Sequence, residues 1–325
     1  MSQSISFPIT DEEKQVIIMV KKITEKGNMD NISRTHYYES YYKRNSEIKW
    51  AFLAGMVSRN AGWCMVDLSV PPFSLLIKEK TRKKLFMTYE ASNWLIFSDA
   101  WPQLAIYETS KVKKKSLFHL LKCFSVSDFM IEEWQKFWIS GDQERLMTSL
   151  IINEQHVIQK PVIKNSKFKR SVFSTMIFRM QDMMHFSTVV FPTLDGRLFG
   201  FSAYDFTRLT ERIKLGKKLA GLLFHPEYHH LFEAFSNRTF HTGSRHDYEQ
   251  FFQKRRVRDK PFLRAVYPII THYIDYGQTD WFHGQRLNHF FKRVHIHEPF
   301  EVSSWYKHKQ NQLKLISLLK EFKKA

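Results

Sequence analysis

SEIKWAFLAGMVSRNAGW, residues 46–63, decides the fold class. Read at 100° per residue, it places Ile48, Phe52, Met56 and Trp63 on one stripe of a helix. Arg59 falls inside that stripe and Asn60 falls at its edge. A segment this rich in apolar residues reads as a helix set deep in a core. Its two misplaced polar residues must then find partners inside the protein.

Helical signals continue on both sides. Thr10-Asp11-Glu12-Glu13 is a capping-box pattern ahead of VIIMV, with Gly27 as a stop. Residues 31–43 read as a second helix. VPP at 70–72 breaks the chain, and a helix over 80–100 is expected to stop near Trp101-Pro102. Further helices are expected over 127–139, 142–158, 171–184, 203–224, 226–236, 245–256, 262–275 and 304–323. One β-hairpin fits TVVFPTLDGRLFGF (188–201), turning at Asp195-Gly196, although Pro192 weakens its first strand. The class is mainly α, an irregular multi-helix array. QKPVIKNSKFKR (159–170) is basic and poor in apolar periodicity. The chain therefore reads as one large helical domain over 1–325, with a sub-division into 1–158 and 171–325 across that loop as the alternative.

Composition agrees. The chain of 325 residues is 43% hydrophobic and 15% aromatic, enough to build a large core. Only 11 Gly and 10 Pro leave little material for turns, which favours long helices. Lys and Arg number 50 against 32 Asp and Glu, a formal charge of +18. That balance points to polyanions as partners, nucleic acid first. Basic clusters occur at 78–84, 111–115, 160–170 and 254–258, yet none matches a known nucleic-acid reader. Cys64 and Cys123 form no zinc or disulfide pattern, no run reaches a membrane span, and the first residues lack a signal-peptide layout. A cytoplasmic location is expected.

Polar residues on apolar faces recur. In the helix over 80–100, Asn93 falls in the stripe of Phe86, Tyr89 and Phe97. In the helix over 142–158, Asn153 falls among Leu146, Leu150 and Val157, with Glu154 beside it. Asp67, Asp99, Glu154, Asp205 and Asp247 are the acids available to pair with a buried arginine. A hydrogen-bonded network that fixes helix register explains these residues without any ligand. The functional alternative is a pocket lined by Arg59, Asn60, Asn93, Asn153 and Glu154.

FHPEYHHLFEAFSNRTFHTGSRHDYEQFF (224–252) raises the question of a metal. His225, His229 and Glu233 have i, i+4, i+8 spacing, but Pro226 belongs at a first helical position, which turns His225 into a cap residue. No metal site is expected. Ser244 reads as the cap of the next helix, with Asp247 as its partner three residues on, and Arg245 at that helix start could face an anion. HGQRLNHFFKRVHIH (283–297) fits no zinc signature and reads as a basic, aromatic-rich surface.

SRNAGWCMVDL (58–68), NWLIFSDAWPQL (93–104), INEQ (152–155) and TGSRHDYE (242–249) resemble the YppC-like proteins of spore-forming Gram-positive bacteria. That is a domain family of unknown function, and the likeness extends over nearly the whole chain. It implies no activity and no cofactor. It does imply that Arg59, Asn60, Trp63, Asp67, Asn93, Asp99, Asn153, Glu154, Arg245, Asp247 and Glu249 belong to family motifs.

Three functions follow as expectations. The first is polyanion binding, with nucleic acid as the partner. The second is an enzyme on an anionic or phosphorylated small molecule, with Arg59 and Arg245 holding the anion and Glu154 or Asp67 as general base. The third is a non-catalytic interaction protein, or a peripheral membrane protein that lays its C-terminal helix, with Leu315, Ile316, Leu319 and Phe322 on one side, on a lipid surface.

Overall fold

The computed structural model describes residues 9–164, 188–202, 205, 207–252, 260–273, 280–298 and 300–322, with side chains to 319. The expected helix over 171–184, the basic cluster 254–258 and residues 165–170 of the expected linker lie outside this range.

The protein is mainly α with one short hairpin. Helix α1 (Asp11–Gly27) opens on the expected capping box, in which Glu13 N–H donates to Thr10 Oγ1 and Thr10 N–H donates to Glu13 Oε2. Helix α2 (Asn31–Arg44) is capped by Asp30. Helix α3 (Lys49–Asp67) follows, then α4 (Phe73–Leu76), and α5 (Glu79–Lys113) is the longest. A 3₁₀ turn over Phe118–Phe124 leads to α6 (Asp128–Ser140), capped by Ser127, and α7 (Gln143–Val157), capped by Asp142. Strands β1 (Thr188–Pro192) and β2 (Leu198–Ser202) pair antiparallel, with Val190 opposite Gly200 and Pro192 opposite Leu198. Pro192 sits in the last pair, where a missing N–H interrupts the ladder least. Gly196, at φ +84°, makes the turn. After the hairpin come α8 (Leu209–Leu223), α9 (His229–Arg238), α10 (His246–Glu249), α11 (Leu263–Val266) and α12 (Ser303–Phe322).

Helix α3 is the axis of this arrangement. It packs against α2, α5, α7, α8, α11 and β1, and its residues are almost all buried from Trp50 to Asp67. A helix apolar on all sides is stable only when surrounded. Its own small residues permit the closeness: a Cβ at Gly62 would come within 2.3 Å of Asn31 Oδ1 and 2.6 Å of His241 Nε2. The main core cluster draws on residues from Val16 to Tyr306.

Several elements differ from expectation. Helix α5 does not stop at Trp101-Pro102 but runs through Pro102 to Lys113. A proline inside a helix removes one hydrogen bond and costs roughly 3 kcal/mol. Two side-chain amides bind carbonyls on this stretch, Asn28 at Trp94 O and Gln103 at Asp99 O, while Phe97, Ala100, Trp101 and Leu104 are all buried. Packing overrides the local signal. Among its described residues, the helix expected over 262–275 is only α11, because Tyr267 turns extended, at ψ 136°, ahead of Pro268. Among its described residues, the helix expected over 245–256 is regular only over α10, and its residues 253–256 lie outside the described range; α9 begins at His229, a turn beyond Pro226. On α12 the packed side is Tyr306, Leu313 and Ser317, whereas Leu315, Leu318 and Leu319 are exposed. None of the described helices is long and apolar enough to cross a membrane.

Candidate functional site

The polar residues of α3 each reach a different part of the chain. Arg59, almost fully buried, donates from Nε to Glu39 Oε1 at 2.5 Å and from Nη2 to Thr239 O at 2.8 Å. A second contact from Nη2 reaches Ser236 O at 3.3 Å, so this guanidinium closes the C-terminal end of α9. Asn60 behaves like a piece of strand. Its amide donates to Val190 O and accepts from Val190 N–H, both at 2.8 Å, and so ties β1 to α3.

One turn on, Trp63 Nε1 donates to Asp247 Oδ2 at 3.0 Å. The Asp247 carboxylate also accepts from Thr242 N–H at 3.0 Å and Thr242 Oγ1 at 2.5 Å, and His241 lies 3.4 Å away. Burial alone would raise the Asp247 pKa, but the His241 ring and Thr242 hold it below the usual range. Asp247 therefore organises its own loop instead of capping α10. At the end of α3, Asp67 accepts from Arg245 Nε. Arg245 Nη1 donates to Tyr248 Oη at 2.6 Å, Tyr248 Oη to Tyr306 Oη at 3.1 Å, and Tyr306 Oη to Glu249 Oε1 at 2.7 Å. Lys260 sits 3.7 Å from Asp67 and 3.6 Å from Glu249, a second cation beside these carboxylates. Burial pushes the nearby Cys64 thiol up to about 11, which makes it an unreactive core residue.

A separate group forms between α5 and α7. Asp99 Oδ2 accepts from Asn153 Nδ2 at 2.5 Å and from Gln103 Nε2 at 2.7 Å. Ser127 Oγ and Trp281 Nε1 donate to Asn153 Oδ1 at 3.0 and 2.9 Å. Glu154 accepts from Trp50 Nε1 at 3.1 Å and Gln155 Nε2 at 3.0 Å. Burial raises both acids to about 7, and the charge of Asp280 adds to the effect at Asp99. Taken over the whole residue, both are half-buried.

Among the described residues Arg59, Asn93, Glu154 and Arg245 do not bond to one another. Asn93 only donates to Tyr89 O, one turn back. Trp50 and Asp67, the contacts of Glu154 and Arg245 on α3, are 17 residues apart, roughly 25 Å along a helix. His225 stacks on Tyr228, His229 bonds Leu223 O and packs on Phe52, and Glu233 is exposed; no cluster suited to a metal occurs among the described residues. Sequence phases located Arg59, Asn153 and Glu154. They carried no sign of Trp281, whose bond to Asn153 joins distant segments.

A long exposed basic strip is WFHGQRLNHFFKRVHIH, residues 281–297, which contains no carboxylate. Arg286, Lys292, Arg293, His283, His289, His295 and His297 are all exposed on it, while Leu287 is buried and anchors the strip. Lys217 of α8 donates to Phe290 O at 2.6 Å and also to Lys292 O, which holds the strip against α8 and its exposed Lys214. The clusters 78–84 and 111–115 instead sit at opposite ends of α5, a helix of 35 residues and so roughly 50 Å long. Part of their charge is neutralised by Glu79, Glu47 and Glu12.

Comparison with known proteins places these motifs. Residues 26–307 match the model of a family described as "Protein of unknown function (DUF2515)". The chain belongs to this family. It is 46% identical over 311 residues to the "Uncharacterized protein YppC" of Bacillus subtilis (strain 168), covering 96% of this chain and 97% of that protein. No solved structure matches the chain. The resemblance carried by the four quoted motifs is thus a true membership of the DUF2515 family, and membership assigns no activity.

Proposed function

We propose that this DUF2515 protein binds nucleic acid through the basic strip 281–297 and the adjoining face of α8. The observation that carries the reading is the acid-free strip itself, with Arg286, Lys292 and Arg293 exposed together and no carboxylate among them. Half-buried Phe290 and Phe291 lie in the same strip and offer ring edges to unstacked bases. The net charge of +18 supplies long-range attraction to a phosphate backbone. Two free thiols, Cys64 and Cys123, support a reducing, cytoplasmic setting.

The enzyme alternative, acting on an anionic small molecule, is less well supported. Its two anion holders, Arg59 and Arg245, are engaged by Glu39 and Asp67 inside the protein. Its proposed base Asp67 belongs to the same internal pair. Fluorescence anisotropy with labelled single- and double-stranded oligonucleotides, from 50 to 200 mM salt, tests the binding reading. Three phosphate contacts predict a slope of log K against log salt of roughly −2 for single strands and roughly −2.7 for duplex. Absence of binding at the lowest salt ends the reading.

A further inference from the structure

Helices α2 and α9 enclose a cavity of about 190 Å³ toward their C-terminal ends, with α3 beneath it. Glu39, Tyr42 and Lys43 of α2 are spaced i, i+3, i+4, and Glu233 and Ser236 of α9 are spaced i, i+3, so each set lies on one face of its helix. Phe52 of α3 forms the floor. Its ring stacks with that of Tyr42, 4.9 Å between centres and 14° between planes. A cavity of about 150 Å³ already takes up benzene, so this one suits a small organic molecule.

Two polar groups on this wall are not satisfied by the protein. Glu39 Oε1 accepts from Arg59 Nε at 2.5 Å and from Ser236 Oγ at 3.2 Å. Arg59 directs Nη2 to the carbonyls of Ser236 and Thr239, so no described residue donates to Glu39 Oε2. Arg145 and Glu133 form the closed alternative, with one N–H to each carboxylate oxygen. The Glu39 side chain is 14% exposed, and Oε2 is not among the sealed polar atoms that lack a partner. Tyr42 supplies an independent observation. It is 9% exposed, and its hydroxyl bonds to no described residue, yet that oxygen also keeps accessible surface. Tyrosine hydroxyls this close to full burial ordinarily find a partner, as Tyr41 does at Leu104 O and Tyr107 at Glu47. At the mouth, Glu233 and Lys43 are exposed and neither forms an ion pair with a described residue.

A carboxylate oxygen and a hydroxyl that can both accept, a stacked aromatic floor and the carbonyl ends of two helices together favour a ligand with positively charged N–H donors. We propose that the cavity between α2, α3 and α9 binds the primary ammonium group of a small organic molecule. The ammonium donates to Glu39 Oε2 and to the Tyr42 hydroxyl oxygen, Glu233 adds negative charge at the mouth, and the hydrocarbon part lies on Tyr42 and Phe52. Lys43 decides the source of that ammonium group: it repels a second cation and attracts a carboxylate, so it separates a plain amine from an amino acid.

Titration calorimetry of the full chain with 3-methylbutylamine and with L-leucine, at pH 7.5 and constant ionic strength, tests this. The two probes share the ammonium group and the branched tail and differ by a carboxylate. Tyr42→Phe removes the hydroxyl and keeps the ring, and Glu39→Gln removes the charge and keeps the shape. Binding of at least one probe to the wild type, weakened roughly tenfold or more in the variants, is the expected result. Tighter binding of L-leucine that Lys43→Gln weakens supports an amino acid as the ligand, and tighter binding of the amine supports a plain amine. Far-UV circular dichroism confirms that each variant is folded, and either one alone suffices for the comparison. Failure of the wild type to bind both probes, or unchanged affinity in a folded Tyr42→Phe or Glu39→Gln variant, overturns the proposal. Equal binding of 4-methylpentanoate, which has the tail without the amine, overturns it as well. None of these results bears on nucleic-acid binding at residues 281–297.

Discussion

Replacing Arg245 by methionine removes a cation from a buried, hydrogen-bonded group. Arg245 is bonded to Asp67 and Tyr248, and the group also holds Glu249, Lys260 and Tyr306. Arg245→Met leaves Asp67, about 2% exposed at the side chain, with Lys260 at 3.7 Å as the cation that remains beside it among the described residues. Loss of one partner from a buried pair typically costs about 3–5 kcal/mol, mostly as the unpaired charge left behind. Removing Asp67 as well, in Arg245→Met/Asp67→Leu, takes out both charges, and the double variant is expected to regain most of that loss. Denaturant unfolding at pH 7.5 measures all three proteins. The coupling between the two positions should reach about 2–4 kcal/mol. An anion-binding arginine would behave otherwise: its loss would leave stability nearly unchanged, or raise it. A single variant within about 1 kcal/mol of wild type would therefore refute the assignment of Arg245 as a structural ion-pair residue.

Two more predictions concern α3 and the α5–α7 junction. Asn60→Ala strips both bonds from Val190, leaving a buried N–H and a buried C=O, and should cost about 2–4 kcal/mol; hydrogen exchange should speed up at Val190, and unchanged protection there would contradict the role given to Asn60. Asp99 and Glu154 have folded pKa values of about 7, raised above those of the unfolded chain, so the folded state holds these protons more tightly. Their stabilising contribution is complete below about pH 4 and is lost as pH rises toward 7, at up to about 1.4 kcal/mol per pH unit for each group. Half-buried His156 and buried His241, whose pKa values are lowered by burial, act in the opposite direction, so the informative quantity is the wild type compared with Asp99→Asn/Glu154→Gln between pH 5 and 7.5. The variant should gain on the wild type across that range, and parallel curves would contradict the raised values.

Local signals in the sequence read well where the structure is locally determined. The Thr10 capping box, the helix starts near residues 127 and 142, and the turn at Gly196 depend on residues a few positions apart. Helical phase also located Arg59 and Asn153, because a buried helix leaves little freedom about which side faces inward. Failures occurred where distant packing opposes a local rule. Pro102 lies within α5 because buried residues on either side hold the turn together, and no short window of sequence contains that information. The candidate pocket had the same limit. Arg59, Asn60, Asn93, Asn153 and Glu154 share a helical phase argument but have different partners, and Asn60 reaches Val190 across 130 residues. The acid group around Asp99 depends on Trp281 and Asp280, from a segment with no helical phase at all.

The nucleic-acid reading is tested most directly by replacing Arg286, Lys292 and Arg293 with serine and measuring the salt dependence of single-stranded oligonucleotide binding. All three side chains are exposed, so stability should change by no more than about 0.5 kcal/mol. Loss of three phosphate contacts predicts a slope shallower by about 2, with weaker binding at every salt concentration. An unchanged slope in the triple variant would contradict the assignment of residues 281–297 as the binding surface.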